Sequence, residues 1–294
     1  MDLLSVIPPE EIWVAIPKVI EIFFFVLIAI GVKNRGGRSY KDQYYLNRTF
    51  FFAFLSWVFY ITCDLFIFLF AAVSFDPTVP ITAVGYDLGH PSLLVANILR
   101  DIGLTGGLLN AIFLLIAAMQ IRYGEKETKR KVTRNPISII VIVAFLVIGG
   151  AFDMIKVQIG SNGNVSINPY YASVTIITLS TAVGVYFAAA FALRSSLYYN
   201  IKEAPPLLRR RLRLLSFGVL LMGVGEAYWI LKGVLNLVPA FTVFITTNDL
   251  WLKIAGHCIW ILSPVLIYLG LRELPVEFPE KAKSTPLNAS SRNI

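Results

Sequence analysis

The sequence predicts an all-α membrane protein: a bundle of seven transmembrane helices, N-terminus outside, C-terminus cytoplasmic, with a small extracellular β-hairpin. Three observations lead there. The chain of 294 residues is 56% apolar and only 15% charged, with a mean hydropathy of +0.70, whereas soluble domains are about a quarter charged. Seven runs are apolar over roughly 20 residues, the length a helix needs to cross a hydrocarbon core of about 30 Å. The basic residues gather in every second connection between these runs, and so on one side. This composition excludes an ordinary soluble domain and a disordered chain. Two cysteines and two histidines exclude a disulfide framework, a thiolate zinc site and a His-rich metal centre.

The spans run approximately Ile12–Val32, Thr49–Val73, Leu93–Ile121, Ile137–Val157, Tyr170–Leu193, Leu214–Val238 and Leu250–Leu271. The first contains Lys18 and Glu21, and an interfacial helix is the competing expectation there. The third is long enough to tilt or project. Residues 1–273 form the transmembrane domain. Residues 274–294, with Pro275, Pro279, Pro286 and a run of Ser, Asn and Lys, read as a disordered cytoplasmic tail.

Twenty-one of the 26 basic residues fall in the stretches 33–48, 122–134 and 194–213 and after Leu271. The opposite side carries Asp2, Glu10, Glu11, Asp76, Asp87 and Asp249. The positive-inside rule places the basic side in the cytoplasm and the protein in the cell membrane as a multi-pass chain. The net charge of +8 is therefore a topology signal, and nucleic acid is not needed to explain it. Arg130, Lys131, Arg209, Arg210 and Arg211 are the candidates for contact with anionic lipid headgroups or a cytoplasmic signalling protein. The acidic start is unlike the positive n-region of a signal peptide.

Between the spans, Glu203-Ala204-Pro205-Pro206 stops one helix and starts the next, because proline is tolerated in a first turn. Val157-Gln158-Ile159 and Val165-Ser166-Ile167 alternate around Asn162-Gly163, a hairpin signal because both turn positions need positive φ. Ser74–Pro91 is the longest outer connection. Asn164-Val165-Ser166 is a glycosylation sequon on the outer side. Two stripes of small residues, Gly103/Gly107/Ala111 and Ser180/Gly184/Ala188/Ala192, predict close helix packing.

Ionisable residues inside a span cost about 2.5–3.5 kcal/mol at mid-depth, so their positions carry information. Asp64 lies in the outer half of the second span. Arg100 and Asp101 lie two turns into the third. Asp153 and Lys156 end the fourth. Glu226 lies near mid-depth in the sixth with Lys232 above it, and Lys253 and His257 open the seventh. Asn97, Asp101 and Thr105 share a helix face, as do Lys253 and His257, and Tyr228 and Lys232. These stripes open outward and fade toward the middle. They predict an outward-facing polar pocket that binds a small extracellular ligand through Glu226, Asp101, Arg100, Asp64, Lys232, Lys253, His257, Asn97 and Tyr228, with Glu226 near its floor. Each lysine also sits close enough to the boundary to snorkel, and the acids also fit structural ion pairs. Cys63 and Cys258 lie at similar depths and read as packing residues.

Several seven-helix chemistries do not fit. Lys253 is too near the outer end to be a retinal lysine, and Ile121-Arg122-Tyr123 lacks the acid of the G-protein-coupled receptor motif. No nucleophile–base pair or hydrolase elbow is present, and no cofactor is implied. Pro169-Tyr170-Tyr171 enters the fifth span, Arg194-Ser195-Ser196 leaves it, and Arg209-Arg210-Arg211-Leu212-Arg213-Leu214-Leu215 leads into the sixth. In these parts, and in its spacing from Asn47 to Glu273, the chain resembles the seven-transmembrane-helix sensor region of microbial sensor histidine kinases. It departs from them in having no kinase domain after Leu271. The resemblance implies a receptor-like sensor whose output passes to a separate protein docking on the basic loops. The alternatives are a transporter with a site near the bilayer midplane and a structural membrane subunit with buried ion pairs only.

Overall fold

The computed structural model describes residues 9–36, 41–74, 91–134, 157–159, 165–167, 169–199, 206–236 and 238–271. Among them are eight helices and two short strands: α1 Pro9–Gly36, α2 Lys41–Ser74, α3 Pro91–Tyr123, α4 Glu125–Arg134, β1 Val157–Ile159, β2 Val165–Ile167, α5 Pro169–Tyr199, α6 Pro206–Asn236, α7 Pro239–Thr247 and α8 Asp249–Leu271. Helices α1, α2, α3, α6 and α8 are long and apolar enough to cross a membrane, so the chain is a multi-pass, all-α membrane protein. The sequence-predicted span Ile137–Val157 lies outside the described residues except for Val157, which opens β1. The predicted tail 274–294 and the connection 75–90 also lie outside them.

Helix boundaries follow local chemistry. Five helices open on a proline (Pro9, Pro91, Pro169, Pro206, Pro239), whose missing N–H would be unpaired in a first turn anyway. Gly124 separates α3 from α4 at φ +80°, a left-handed conformation in which its N–H bonds the Gln120 carbonyl at 2.9 Å. In α4, Lys129 meets Glu125 at 2.5 Å, and that hydrogen bond lifts the lysine above its ordinary range. The strands pair antiparallel, with Val157 opposite Ile167, Gln158 opposite Ser166 and Ile159 opposite Val165. Helix α7, between α6 and α8, was not expected. It is short, and it exposes Phe241, Val243 and Phe244.

The long helices close a ring in the order α1, α2, α3, α5, α6, α8 and back to α1. Contacts fix the directions. Asn110 of α3 bonds the Ala53 carbonyl while Gly103 meets Cys63, so α2 and α3 are antiparallel. Gly223 meets Tyr186 and Ser216 bonds the Ala190 carbonyl, so α5 and α6 are antiparallel. Phe25 packs on Phe54 and Trp57 while Lys18 reaches Asp64, so α1 and α2 are antiparallel. One end of the ring therefore gathers Lys18, Asp64, Lys232 and Asp249, and the other gathers Lys33, Arg48, Arg122 and Arg211; these are called the polar and basic ends below. Around this ring α3 and α5 lie side by side and run in the same direction. Phe25, Phe54, Trp57, Leu114, Leu193, Leu215 and Met222 fill the interior.

Glycines set the closest approaches. Gly103 and Gly106 admit α2, with the Ser56 carbonyl 2.9 Å from where a Gly106 Cβ would stand. The stripe Gly103/Gly107/Ala111 therefore packs as expected. In the second stripe only Ala192 is buried; Ser180, Gly184 and Ala188 are exposed among the described residues. The reason is a different buried face on α5, built from Ala182, Tyr186, Ala189 and Leu193. Helices α6 and α8 interlock reciprocally. The Trp260 indole lies where a Cβ on Gly225 would stand, and the Trp229 ring lies 2.7 Å from a Cβ on Gly256. Pro264 sits inside α8, and the neighbouring Ser263 hydroxyl donates to the Gly218 carbonyl at 2.7 Å across the same seam.

Alanine at Gly225 or Gly256 should displace an indole and destabilise the protein by about 1–3 kcal/mol despite alanine's better helix propensity. The measurement is thermal unfolding of each variant in detergent, with a lowered Tm expected for both.

Candidate functional site

Helix α1 builds the site at the polar end. Lys18 and Glu21 are three residues apart and lie on one side of the helix. Lys18 Nζ pairs with Asp64 Oδ2 of α2 at 2.7 Å. Glu21 is fully buried (0% exposed), and its Oε1 lies 3.2 Å from Nδ1 of His257 on α8, itself 2% exposed; the tautomer carrying Nδ1–H donates this bond. A single turn of α1 thus ties both ring neighbours. At the start of α8, Asp249 holds two lysines: Lys232 of α6 on Oδ1 at 2.6 Å and Lys253 on Oδ2 at 2.7 Å. Beside them the Tyr228 hydroxyl donates to the Leu252 carbonyl at 2.7 Å.

Below this charged layer lies an aromatic one. Trp260 of α8 is its hub, with ring centroids 5.1 Å from Trp57, 5.7 Å from Trp229, 5.6 Å from His257 and 6.2 Å from Tyr60. The indole N–H groups of Trp57, Trp229 and Trp260 are buried with no acceptor. Glu226 of α6 is 2% exposed, one turn from Trp229, and its Oε2 has no donor. Tyr186 of α5 packs against Gly223, one turn before Glu226 on α6. The Tyr186 hydroxyl donates to Asn110 Oδ1 at 2.6 Å, and Asn110 Nδ2 donates to the Ala53 carbonyl at 2.7 Å. A buried polar chain therefore links α2, α3 and α5 next to the Glu226 carboxyl. Buried polar atoms are normally bonded, so the unpartnered indoles and carboxylate oxygens mark a place with capacity for further polar contacts.

Of the sequence-predicted ligand residues, the structure brings Asp64, Glu226, Tyr228, Lys232, Lys253 and His257 to this one end. Lys232 and Lys253, where snorkelling was the competing expectation, are tied to Asp249. Asn97, Arg100 and Asp101 lie on α3, and their side chains fall outside the described residues, as do Asp153 and Lys156. Sequence reasoning missed Lys18, Glu21, Asp249 and the tryptophans as site residues. The signal for the first two was present: two charges three apart in an otherwise apolar run. Cys63 is buried whereas Cys258 is exposed, and both are free. Among the described residues, no three His, Cys, Asp or Glu are grouped to hold a metal ion.

At the basic end, cations lie over aromatic rings: Lys131 over Tyr123 at 3.4 Å, Lys129 over Tyr45 at 4.5 Å and Arg48 over Phe52 at 5.5 Å. Arg130 is exposed and pairs with Glu127 at 2.8 Å. Arg210 is exposed and Arg209 half-buried. Arg211 is buried, and its carbonyl lies 3.0 Å from where a Gly270 Cβ would stand. No family model, curated protein or solved structure matches the chain.

Lys18→Met leaves Asp64 without its partner and should destabilise the protein by about 2 kcal/mol or more. The double variant Lys18→Met/Asp64→Leu should recover most of that loss, because removing both charges removes the desolvation cost as well. Unfolding of the single and double variants in one detergent measures both effects.

Proposed function

We propose that the chain is a receptor-like sensor of the cell membrane that binds a small extracellular ligand at the polar end and signals through a separate protein on its basic side. The observation that carries this is confinement of buried charge. Lys18, Glu21, Glu226 and His257 are buried near the polar end, and Arg211 is the remaining buried charge among the described residues. Toward the basic end the interior is apolar, with Phe50, Leu114, Leu193, Leu212, Leu215 and Ile267. The buried hydroxyls there donate to backbone carbonyls: Ser195 and Ser196 to Ala192, Ser216 to Ala190 and Thr128 to Gly124. A site with one polar approach favours sensing over transport, which needs a second exit. The likeness to the sensor region of microbial sensor kinases points the same way.

Seven spans and an outside N-terminus complete the proposal. The parallel run of α3 and α5 supports a further crossing between them, for which the predicted span Ile137–Val157 is the apolar stretch. At roughly 20 residues it would reach about 30 Å as a helix. The exposed face Ser180/Gly184/Ala188 of α5 offers a small-residue surface for that crossing. The paired strands would then stand on the extracellular side. The 21 basic residues gathered on one side support a cytoplasmic basic end.

Two experiments test this. Ser5→Cys should react with an impermeant maleimide on intact cells and Ser291→Cys only after permeabilisation, in a background lacking Cys63 and Cys258; labelling from the same side would mean an even number of crossings. Screening a small-molecule library by thermal shift in nanodiscs should find stabilisers of the wild type that fail on Glu226→Gln and on Glu226→Gln/Asp101→Asn. Wild-type responses in the double variant would refute the site, and Glu226-dependent flux in proteoliposomes would establish transport instead.

A further inference from the structure

We infer that the ligand of this site is a small organic ammonium ion, with Glu226 as its counter-ion. This rests on the receptor reading above and adds the chemical class of the ligand.

The lysines of the polar end are paired with other acids: Lys18 with Asp64, and Lys232 and Lys253 with Asp249. Glu226 is buried with Oε2 unpartnered, and an ionised carboxylate inside a bundle needs a cation to offset its lost hydration. Its neighbour Tyr186 gives its proton to Asn110 and so turns lone pairs, not a donor, to the surroundings. Among the described residues of this end, Asp64, Asp249 and Glu21 each have a partner side chain, and Glu226 Oε2 has none.

The walls specify an organic cation rather than a metal ion. Trp229 lies one turn from Glu226, Trp260 presses on Gly225 beside it, and Trp57 and Tyr60 continue the aromatic surface. Aromatic faces attract ammonium groups and tolerate their alkyl substituents, and quaternary and primary amines are bound this way. The three indole N–H groups without acceptors complement a hydroxyl or carbonyl carried on the same ligand.

The test uses the full chain in nanodiscs, titrated with phenethylamine and tetramethylammonium, and with 2-phenylethanol and 3-phenylpropionate as neutral and anionic counterparts. Tryptophan fluorescence reads binding. Saturable responses to the two ammonium probes are expected, with affinity falling about 30-fold or more in Glu226→Gln while Glu226→Asp retains measurable binding. Should Glu226→Gln fail to fold, Glu226→Asp serves, with ammonium affinity expected to fall severalfold as the shorter carboxylate draws back from the guest. Ammonium binding unchanged in these variants overturns the inference. Glu226-dependent binding of 3-phenylpropionate, or a response to pH alone that Glu226→Gln abolishes, overturns the ligand class and leaves the receptor reading standing. Absence of any response, here and across the compound library, overturns both.

Discussion

The bundle depends on one constraint: a charge placed within a bilayer must find its partner inside the protein. Helix α1 carries two ionisable side chains three residues apart, and each is answered from a different neighbour, Lys18 by Asp64 on α2 and Glu21 by a hydrogen bond with His257 on α8. These two contacts join the first helix to both the second and the last and so close the ring. An apolar α1 would have no comparable preference for rotation, because lipid tails solvate Leu and Phe as well as a neighbouring helix does. The polar pairs supply the angular specificity that hydrophobicity supplies in water.

Close packing then turns that closure into a site. The reciprocal seating of Trp260 at Gly225 and Trp229 at Gly256 brings α6 and α8 together and stacks four large rings between them and α2. Glu226 is carried into the interior by the same helix turn that carries Trp229. The charged layer of Lys232, Asp249 and Lys253 sits above, and the Asn110–Tyr186 chain runs alongside. Polar, aromatic and apolar layers therefore succeed one another from one end of the ring to the other.

Much of this was legible residue by residue. The alternation of apolar runs with basic stretches marked the helices and the basic end. The depth of Asp64, Glu226, Lys232, Lys253 and His257 marked the polar end, because the cost of intramembrane charge makes each such residue conspicuous. The antiparallel pairing of 157–159 with 165–167 followed from alternation about Asn162-Gly163. Asp249 was passed over because an acid at a helix start is usually a cap or a solvated loop residue. The tryptophans were passed over because aromatic residues in a span are ordinarily lipid or core contacts.

The sequence by itself determined that α1, α2, α3, α6 and α8 are helical and membrane-compatible and which end is basic, since hydropathy, proline starts and charge are local properties. Only the tertiary structure decided who pairs with whom. Lys18 with Asp64 and Glu21 with His257 join residues far apart in the chain, and helical periodicity specifies a face but not the neighbour it meets. The same holds for the stripe Ser180/Gly184/Ala188. Its spacing forecast close packing, yet α5 turns the face of Tyr186 inward instead, where the hydroxyl meets Asn110. Buried polar groups are normally bonded, and the Tyr186–Asn110 hydrogen bond rewards this rotation in a way that a face of small residues does not.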